Sequence, residues 1–283
     1  MVSSECIDLT HTLSMHTTPH TIYPGDPPLA IRSHCTIAAD GYSVHALSLG
    51  THTGTHLDAP KHFVESGEGV SEIGLERLVG RALVVDYTLD GGELSVEGME
   101  RRRIEWDELE DVWRRQYEKT GVALKTLGEM VDCGVYKMLL VNTGWGETHY
   151  PSPSSRDRYD PARFFAHPYF APSVAQRLME PSSSVRLFGC DTPSPDETPW
   201  EGVGGEGGFK FHEVVLGGGG LILENAKGLG ELARALYLSG SQSGSGSVEE
   251  ERKEDWIVNV IPLKLEGLDG SPVRAFAYRK GAV

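Results

Sequence analysis

One short segment of the chain brings together residue types that could bind a metal ion. Residues 52–63 read His-Thr-Gly-Thr-His-Leu-Asp-Ala-Pro-Lys-His-Phe. Imidazole nitrogen and carboxylate oxygen are suitable ligands for Zn²⁺ and for Mn²⁺. Even spacings separate His52, His56 and Asp58, and alternate side chains of an extended strand share one face. A strand here would therefore direct these three side chains toward a single point.

A helix explains this spacing less well than a strand. On a helix, His52 and His56 would share a face, whereas Asp58 would point away from them. Gly54 and Pro60 also disfavour a helix. The remaining alternative is a polar edge strand that carries histidines by chance, but the period of two favours a metal site. Pro60 is expected to bend the chain, so His62 would follow the turn.

The predicted ligands leave coordination positions open, as in catalytic rather than structural metal sites. His62 could serve as a fourth ligand or as a general base that takes a proton from water. His212 and Glu224 form a second pair of a histidine and a carboxylate. They could bind a second ion, with Asp58 shared between the two ions. Spacing alone does not distinguish this pair from unrelated histidines and glutamates.

Net charge, cysteine content and apolar runs indicate which partners and which cellular location the sequence favours. The chain has 283 residues and a formal net charge of -15 at pH 7, which argues against nucleic acid and anionic membranes as partners. Its four cysteines are scattered and include no Cys-x-x-Cys pair, so they predict reduced thiols and a cytoplasmic protein. The N-terminus lacks the pattern of a signal peptide, and no apolar run reaches membrane-spanning length.

The order of elements predicts a single α/β domain over residues 1–283, with a mixed sheet flanked by helices. Apolar patterns at helical spacing indicate a helix from Ile104 to about Val131. Surface insertions are expected near residues 89–132 and 239–255, the second because it is rich in Ser and Gly. The closing strands are expected to pair through a turn at Asp269-Gly270. The predicted strands are 5–10, 29–37, 42–49, 81–87, 137–142, 185–189, 221–223, 256–265 and 273–278.

Polar turns at strand ends supply candidates for substrate binding. Trp145 closes a Thr-Gly-Trp turn after a buried strand, at a position where α/β proteins often place site residues. Asp191 and Ser194 lie in a Pro-rich segment after the next predicted strand, where an ordinary turn is the alternative. Tyr23 is an aromatic residue on a loop and could form a pocket wall or pack inside the protein.

The segment 52–63 resembles the signature of the cyclase family, which includes bacterial-type kynurenine formamidases and isatin hydrolases. The resemblance covers most of the chain apart from the two insertions. Tyr23 departs from it, because formamidases typically have Trp there, and Pro195 replaces an aliphatic residue. The other matching stretches are Asp8-Leu-Thr, Tyr23-Pro-Gly-Asp, Thr143-Gly-Trp, Gly189-Cys-Asp-Thr-Pro-Ser-Pro-Asp196 and Phe211-His212 through Leu223-Glu224-Asn225.

This resemblance implies a swivelling β/β/α fold and metal-dependent hydrolysis of an amide or lactam. By position it makes His62 the catalytic base or acid. It also implies a homo-oligomer, a dimer or tetramer, with pockets lined partly across the interface. The implied metal ligands are His52, His56 and Asp58 for one ion, and His212 and Glu224, with Asp58 shared, for a second where one is present.

Together these observations predict a hydrolase of small aryl formamides or cyclic amides that uses one or two Zn²⁺ or Mn²⁺ ions. N-formylkynurenine is the first candidate substrate. One alternative is a lactam, lactone or polyketide-type hydrolase or cyclase of the same fold. Another is a non-catalytic metal-binding relative, although the presence of His62 argues against it. The departures from the family pattern leave the substrate open.

Overall fold

The computed structural model describes residues 6–16, 21–89, 96–118, 125–151, 160–200, 208–241 and 256–280. The strands are β1 Cys6–Asp8, β2 Ala30–Cys35, β3 Val44–Ser48, β4 His56–Asp58, β5 Val79–Gly80, β6 Ala82–Asp86, β7 Arg103–Ile104, β8 Met138–Asn142, β9 Tyr169–Phe170, β10 Leu187–Cys190, β11 Leu221–Glu224, β12 Trp256–Asn259, β13 Gly270–Pro272 and β14 Phe276–Arg279. The helices are α1 Ile37–Asp40, α2 Leu75–Leu78, α3 Trp106–Glu118, α4 Leu127–Asp132, α5 Trp145–His149, α6 Pro161–Phe164, α7 Pro172–Leu178, α8 Lys210–Gly217 and α9 Leu229–Ser241.

A mixed sheet forms the middle of the molecule. Its strands lie in the order β13-β4-β11-β10-β8-β6. The neighbours β11, β10, β8 and β6 are parallel, whereas β4 runs antiparallel to β11, and β13 runs antiparallel to β4. A second sheet is antiparallel, with the order β1-β14-β12-β5. The predicted mixed sheet is thus confirmed.

Alternating side chains of the central strands enter two different cores. In β8, Leu139 and Val141 belong to a cluster that also contains residues of α3, α4, α7 and α8. Met138 and Leu140 belong to a second cluster, which contains residues of the antiparallel sheet and of α9. A strand buried on both faces has a continuous apolar run, which is why the sequence predicts a strand here. The layers follow the β/β/α order that the family resemblance implied.

The helix predicted over residues 104–131 is two helices, α3 and α4. Leu109 and Trp113 of α3 are buried in the same cluster as Leu127 and Met130 of α4. The described part of the predicted insertion near 89–132 is therefore built into the core, which corrects the prediction of a surface decoration. Of the second predicted insertion, residues 242–255 lie outside the described residues.

The closing strands pair as predicted, but the segment between them does more than turn. Strands β12 and β14 are antiparallel neighbours in the smaller sheet. Between them, Gly270–Pro272 leaves that sheet and pairs with β4 as the edge strand β13 of the mixed sheet. The turn predicted at Asp269-Gly270 is therefore the point where the chain joins the second sheet, directly beside β4.

The described residues contain no helix long and apolar enough to span a membrane. All four cysteines lie in the described part of the chain, and none takes part in a disulfide.

A buried histidine, His167, lies between α6 and β9. Its Nδ1–H donates to the carbonyl oxygen of Pro168 at 2.8 Å, and its Nε2 accepts from the Thr198 hydroxyl at 2.8 Å. His167 is buried, and burial disfavours the charged imidazolium form of the ring. Burial accordingly lowers the pKa of His167 to about 4.

This lowered pKa predicts a loss of stability in acid. Between pH 6.5 and about 4, the unfolded chain binds a proton that the folded chain does not, so the free energy of unfolding falls as the pH falls. We expect His167 to contribute roughly 2 kcal/mol to the decrease between pH 7 and pH 5. Urea denaturation at the two pH values measures it. His167→Gln should show a shallower pH dependence than the wild type, whereas substitution of the exposed His16 by Gln should not.

Candidate metal centre

His52 lies in a turn, which corrects the prediction of one continuous strand through His52, His56 and Asp58. Only His56–Asp58 forms β4, and residues 51–55 are turns and bends. Gly54 has a φ of +69°, and a Cβ on it would run into the side chain of Leu13. A glycine is needed here for conformation as well as for space. His56 and Asp58 do share a face, as their spacing predicted.

Strand pairing brings Glu224 next to His56. Glu224 ends β11 and lies opposite His56 in the antiparallel register, while Ile222 lies opposite Asp58. His212 comes from the first turns of α8, and the carboxylate of Asp196 accepts from its backbone N–H at 3.1 Å. The five predicted ligands thus converge, although they come from a turn, two strands and a helix.

The two carboxylates of the centre lie among its histidines: Asp58 faces three of them and Glu224 faces two. Asp58 Oδ1 lies 2.7 Å from His52 Nδ1 and 3.3 Å from His56 Nε2. The other oxygen, Oδ2, lies 3.5 Å from His212 Nε2. Glu224 repeats the arrangement, with Oε2 at 3.2 Å from His56 Nε2 and Oε1 at 3.1 Å from His212 Nε2. Such an arrangement suits carboxylates that lie between two cation positions.

The chemistry of these donors fits a divalent cation. His56 Nε2, Asp58 Oδ2 and Glu224 Oε1 are buried and make no well-aligned hydrogen bond, although other site atoms lie close by. Buried polar atoms without partners are rare in folded proteins, because each costs free energy. Ligand atoms of His52, His56 and Asp58 lie within 4.8 Å of one another, as do those of Asp58, His62 and His212. A metal ion would satisfy the unpartnered atoms and offset the two buried charges.

The electrostatics keep both carboxylates ionised. Burial by itself raises the pKa of Asp58, but His56 and His52 outweigh it and hold that pKa well below its usual value. Burial and the neighbouring Asp58 raise the pKa of Glu224, yet the close approach of His212 and His56 leaves it lowered. Burial lowers the pKa of His52, and Asp58 and Asp269 reverse this to give about 9. The centre thus offers two charged oxygen ligands.

His62 borders the centre from the segment after β4. Pro60 begins a short 3-10 helix that ends at His62, so the predicted bend is present. The ring is partly exposed, and its centroid lies 3.9 Å from that of His52. His62 Nδ1 lies 3.2 Å from Asp269 Oδ2. This placement is compatible with a general base and also with a ligand.

The sequence did not predict a role for two further carboxylates, Asp196 and Asp269. They contact histidine nitrogens that face away from Asp58 and Glu224. Asp196 Oδ2 lies 2.6 Å from His212 Nδ1. Asp269 Oδ2 lies 3.0 Å from His52 Nε2, and hydrogen bonds from His52 and His62 hold the pKa of Asp269 well below its usual value. Asp196 stands in a matched family stretch and could have been proposed from it. Asp269 carried only the signal of a turn.

A cavity of about 420 Å³ opens onto the centre. Tyr23 and Ser194, two of the residues predicted to bind substrate, line this cavity. Phe63 and Phe209 add aromatic walls whose ring centroids lie 5.4 Å apart. Its size and its mixture of aromatic and polar groups are typical of sites for small molecules.

Trp145 and Asp191 lie outside this cavity, so their predicted role in substrate binding is corrected. Trp145 is buried in the core cluster that contains residues of α3, α4, α7 and α8, where its Nε1–H donates to the carbonyl oxygen of Phe164 at 2.9 Å. Asp191 is buried and accepts from the backbone N–H and hydroxyl of Thr143 at 2.9 and 2.8 Å, and from the N–H of Gly146 at 3.2 Å. Asp191 thereby stabilises the turn after β8. Burial raises the pKa of Asp191 to about 6, against these hydrogen bonds.

The fold and the centre define a class of protein: an α/β protein of three layers with a buried site of histidines and carboxylates suited to a divalent metal ion. The chain belongs to the Cyclase family, whose family model, described as "Putative cyclase", matches residues 7–197. The resemblance drawn from the motifs is thereby confirmed.

Comparisons with individual proteins agree with this assignment. The chain is 26% identical over 277 residues to the kynurenine formamidase of Geobacillus thermodenitrificans, which covers 97% of this chain and 98% of that protein. Isatin hydrolase A from Labrenzia aggregata, solved with benzyl benzoate, superimposes with a TM-score of 0.64 and 20% identity, covering 96% of this chain and 92% of that one. Isatin hydrolase A from Ralstonia solanacearum gives a TM-score of 0.64 and 22% identity, with coverages of 96% and 90%. The structural likenesses show a shared fold.

A metal ion that binds the folded centre should stabilise the protein. At a free ion concentration about 100 times Kd, the gain is roughly 3 kcal/mol, which we expect to raise Tm by on the order of 5–10 °C. The measurement is Tm of chelator-treated protein with and without added Zn²⁺ or Mn²⁺. Asp58→Asn should lose most of the shift. Asp132→Asn, which removes an exposed carboxylate paired with Arg177, should keep it. A shift that survives in Asp58→Asn would contradict this assignment of the site.

Proposed function

We propose that this protein is a metal-dependent hydrolase of aryl formamides or cyclic amides, with N-formylkynurenine as the first candidate substrate. The observation that carries the proposal is the convergence of His52, His56, Asp58, His212 and Glu224 beside a cavity with aromatic walls. Similarity over nearly the full length to a kynurenine formamidase supports the substrate class. The catalytic roles below are part of the proposal.

The proposed cofactor is Zn²⁺ or Mn²⁺, with one or two ions in each subunit. His52, His56 and Asp58 would hold the first ion. His212 and Glu224 would hold a second, with Asp58 shared, because each carboxylate turns one oxygen toward either histidine side. A divalent ion in such a site supplies Lewis-acid chemistry: it lowers the pKa of water and polarises an amide carbonyl.

His62 is proposed to move the proton. Its ring nitrogen Nε2 accepts a proton from water as the water oxygen attacks the amide carbon. The C–N bond then breaks, and His62 returns the proton to the leaving nitrogen, so an aryl formamide yields formate and an aryl amine. The half-buried position of His62 at the edge of the cavity suits such a role.

The cavity lining supports an aromatic substrate. Tyr23, Phe63 and Phe209 offer faces and edges against which an aryl ring can pack. Asp26 adds a carboxylate to the lining, which could pair with the ammonium group of an amino-acid substrate. Ser194 offers a hydroxyl for hydrogen bonds to the amide or to a ring substituent.

Hydrolysis of a cyclic aryl amide is the second candidate, favoured by the fold shared with isatin hydrolases. The same attack on an amide carbon would open a lactam ring without releasing a second product. Comparison of kcat/KM for N-formylkynurenine and for isatin separates the two candidates.

Replacement of His62 tests the proposed division of roles. We expect His62→Ala to bind as much metal as the wild type but to lose at least about 100-fold in kcat, because the general base contributes 10²–10⁴-fold. Elemental analysis gives the metal identity and stoichiometry, and formamide turnover is measured with added Zn²⁺ or Mn²⁺. Exposed His16→Gln is the matched control.

Two outcomes would contradict this scheme. Wild-type activity that survives complete removal of metal would eliminate the metal-dependent mechanism. Loss of metal in His62→Ala would make His62 a ligand instead of a base.

We also propose that the chain is a single-domain, cytoplasmic homo-oligomer, a dimer or a tetramer. Strands β2 and β3 form a two-stranded sheet of their own, and isolated hairpins are marginally stable in water. In a chain of net charge -15, residues 30–48 contain only Arg32 and Asp40 as charged side chains, so two copies could meet there with little repulsion. Absence of disulfides among the cysteines supports the cytoplasmic location. The exposed apolar side chains of this hairpin are Ile31, Ile37, Tyr42, Val44 and Leu47.

Two leucines with equal exposure allow a matched test of this surface. Leu47 on the hairpin and Leu75 on α2 are both 65% exposed. Leu47→Glu should shift the protein toward the monomer in analytical ultracentrifugation, because a buried charge opposes association, and Leu75→Glu should not. A wild type that sediments as a monomer, or equal behaviour of the two variants, would refute the proposed interface.

A further inference from the structure

Asp269 occupies a position from which it contacts two histidines with different proposed roles. The pairing of β13 with β4 places it, because the carbonyl oxygen of Asp269 accepts from the N–H of Ala59 at 2.9 Å. Its side-chain oxygen Oδ2 lies 3.0 Å from His52 Nε2 and 3.2 Å from His62 Nδ1. A single oxygen atom therefore faces both rings.

The contact with His52 determines which of its nitrogens can face the centre. A histidine that binds a metal ion is a neutral imidazole with one N–H, and a carboxylate accepts a hydrogen bond but cannot donate one. If Nε2–H donates to Asp269, the unprotonated nitrogen is Nδ1, which lies 2.7 Å from Asp58 Oδ1. A carboxylate behind a ligand histidine is the usual means of fixing its tautomer and ring orientation.

The same argument applies to His62, except that the nitrogen facing Asp269 is Nδ1 in His62 and Nε2 in His52. Here Nδ1 faces Asp269 and donates its hydrogen to it. The unprotonated nitrogen is then Nε2, the atom that a general base needs for accepting a proton from water. Asp269 thus selects opposite tautomers on two neighbouring rings.

Gly270 provides a second, independent sign that this turn is built around His52. A Cβ at Gly270 would lie 2.7 Å from His52 Cε1, 3.1 Å from His52 Nδ1 and 3.1 Å from the Leu57 carbonyl oxygen. Any larger residue would push the ring out of its place. The Asp-Gly pair therefore supplies both an acceptor for the imidazole and the space that it occupies.

We propose that Asp269 is a positioning residue that sets the tautomers of a metal ligand, His52, and of the catalytic base, His62, at the same time. This inference rests on the proposed function for the role of His62. Its consequence is a coupling: one substitution should weaken metal binding and impair proton transfer together.

Metal affinity tests the His52 half of the proposal. Competition with a chromophoric chelator measures the Kd of chelator-treated protein for Zn²⁺. Asp269→Ala should bind Zn²⁺ 10–100-fold more weakly, the range found when such outer partners are removed. Asp269→Asn should stay within a few-fold of the wild type, because its amide oxygen still accepts a hydrogen bond. Glu266→Ala removes the same charge from an exposed position of the same loop and should change nothing.

The tautomer of His62 tests the other half in the Zn²⁺-loaded protein. Long-range ¹H–¹⁵N correlation spectra distinguish a ring protonated at Nδ1 from one protonated at Nε2, and His62→Gln identifies the signal. The wild type and Asp269→Asn should show the Nδ1–H form, and Asp269→Ala should lose it. On N-formylkynurenine, Asp269→Ala should lower kcat more than it changes KM, with partial recovery in Asp269→Asn.

The proposal is overturned if Asp269→Ala leaves either the Zn²⁺ affinity or the His62 spectrum unchanged, or if Glu266→Ala weakens binding as much. Its failure differs from failure of the proposed function. A wild type that hydrolyses none of the amides would refute the function, while the affinity and the spectra would still decide whether Asp269 positions the two rings.

Discussion

The backbone pairing of β4 with a strand on either side is the constraint on which the centre depends. Only three residues long, β4 carries His56 and Asp58 on one face and Leu57 on the other, where it enters the core between the sheets. Its pairing with β11 brings Glu224, and its pairing with β13 brings Asp269. A slip by one residue would exchange His56 and Asp58 with Leu57, so burial of Leu57 secures the register.

A second regularity concerns the far side of each histidine that is proposed to bind metal. Each ring has an acceptor behind the nitrogen that faces away from the buried carboxylates. These acceptors are Asp269 for His52, the Gly54 carbonyl for His56 and Asp196 for His212. The rings are thereby oriented before any ion binds, which lowers the entropic cost of binding. Asp196 also accepts from two backbone N–H groups of α8 and so ties the helix to the centre.

The centre lies on a floor formed by a packed sheet and faces an opening with aromatic walls. The floor belongs to the mixed sheet, which has a packed core on each face. The opening is made by loop residues and by the start of α8, including Tyr23, Phe63 and Phe209. This division suits a protein in which the reaction chemistry depends on the sheet and the choice of substrate depends on the loops. The departure of Tyr23 from the formamidase pattern falls on the opening.

Spacing within the sequence determined the features that depend on near neighbours, and the tertiary structure decided those that depend on distant ones. Period two placed His56 and Asp58 on one face, apolar runs marked the central strands, and Pro60 marked the bend before His62. The turn at His52 follows from a left-handed Gly54 packed against Leu13, a contact that no local pattern reveals. Two carboxylates behind the rings, and the burial of Trp145 and Asp191, follow from which segments pack together. Strand pairing is non-local, so residues more than 200 positions apart, such as His52 and Asp269, meet only in the folded chain.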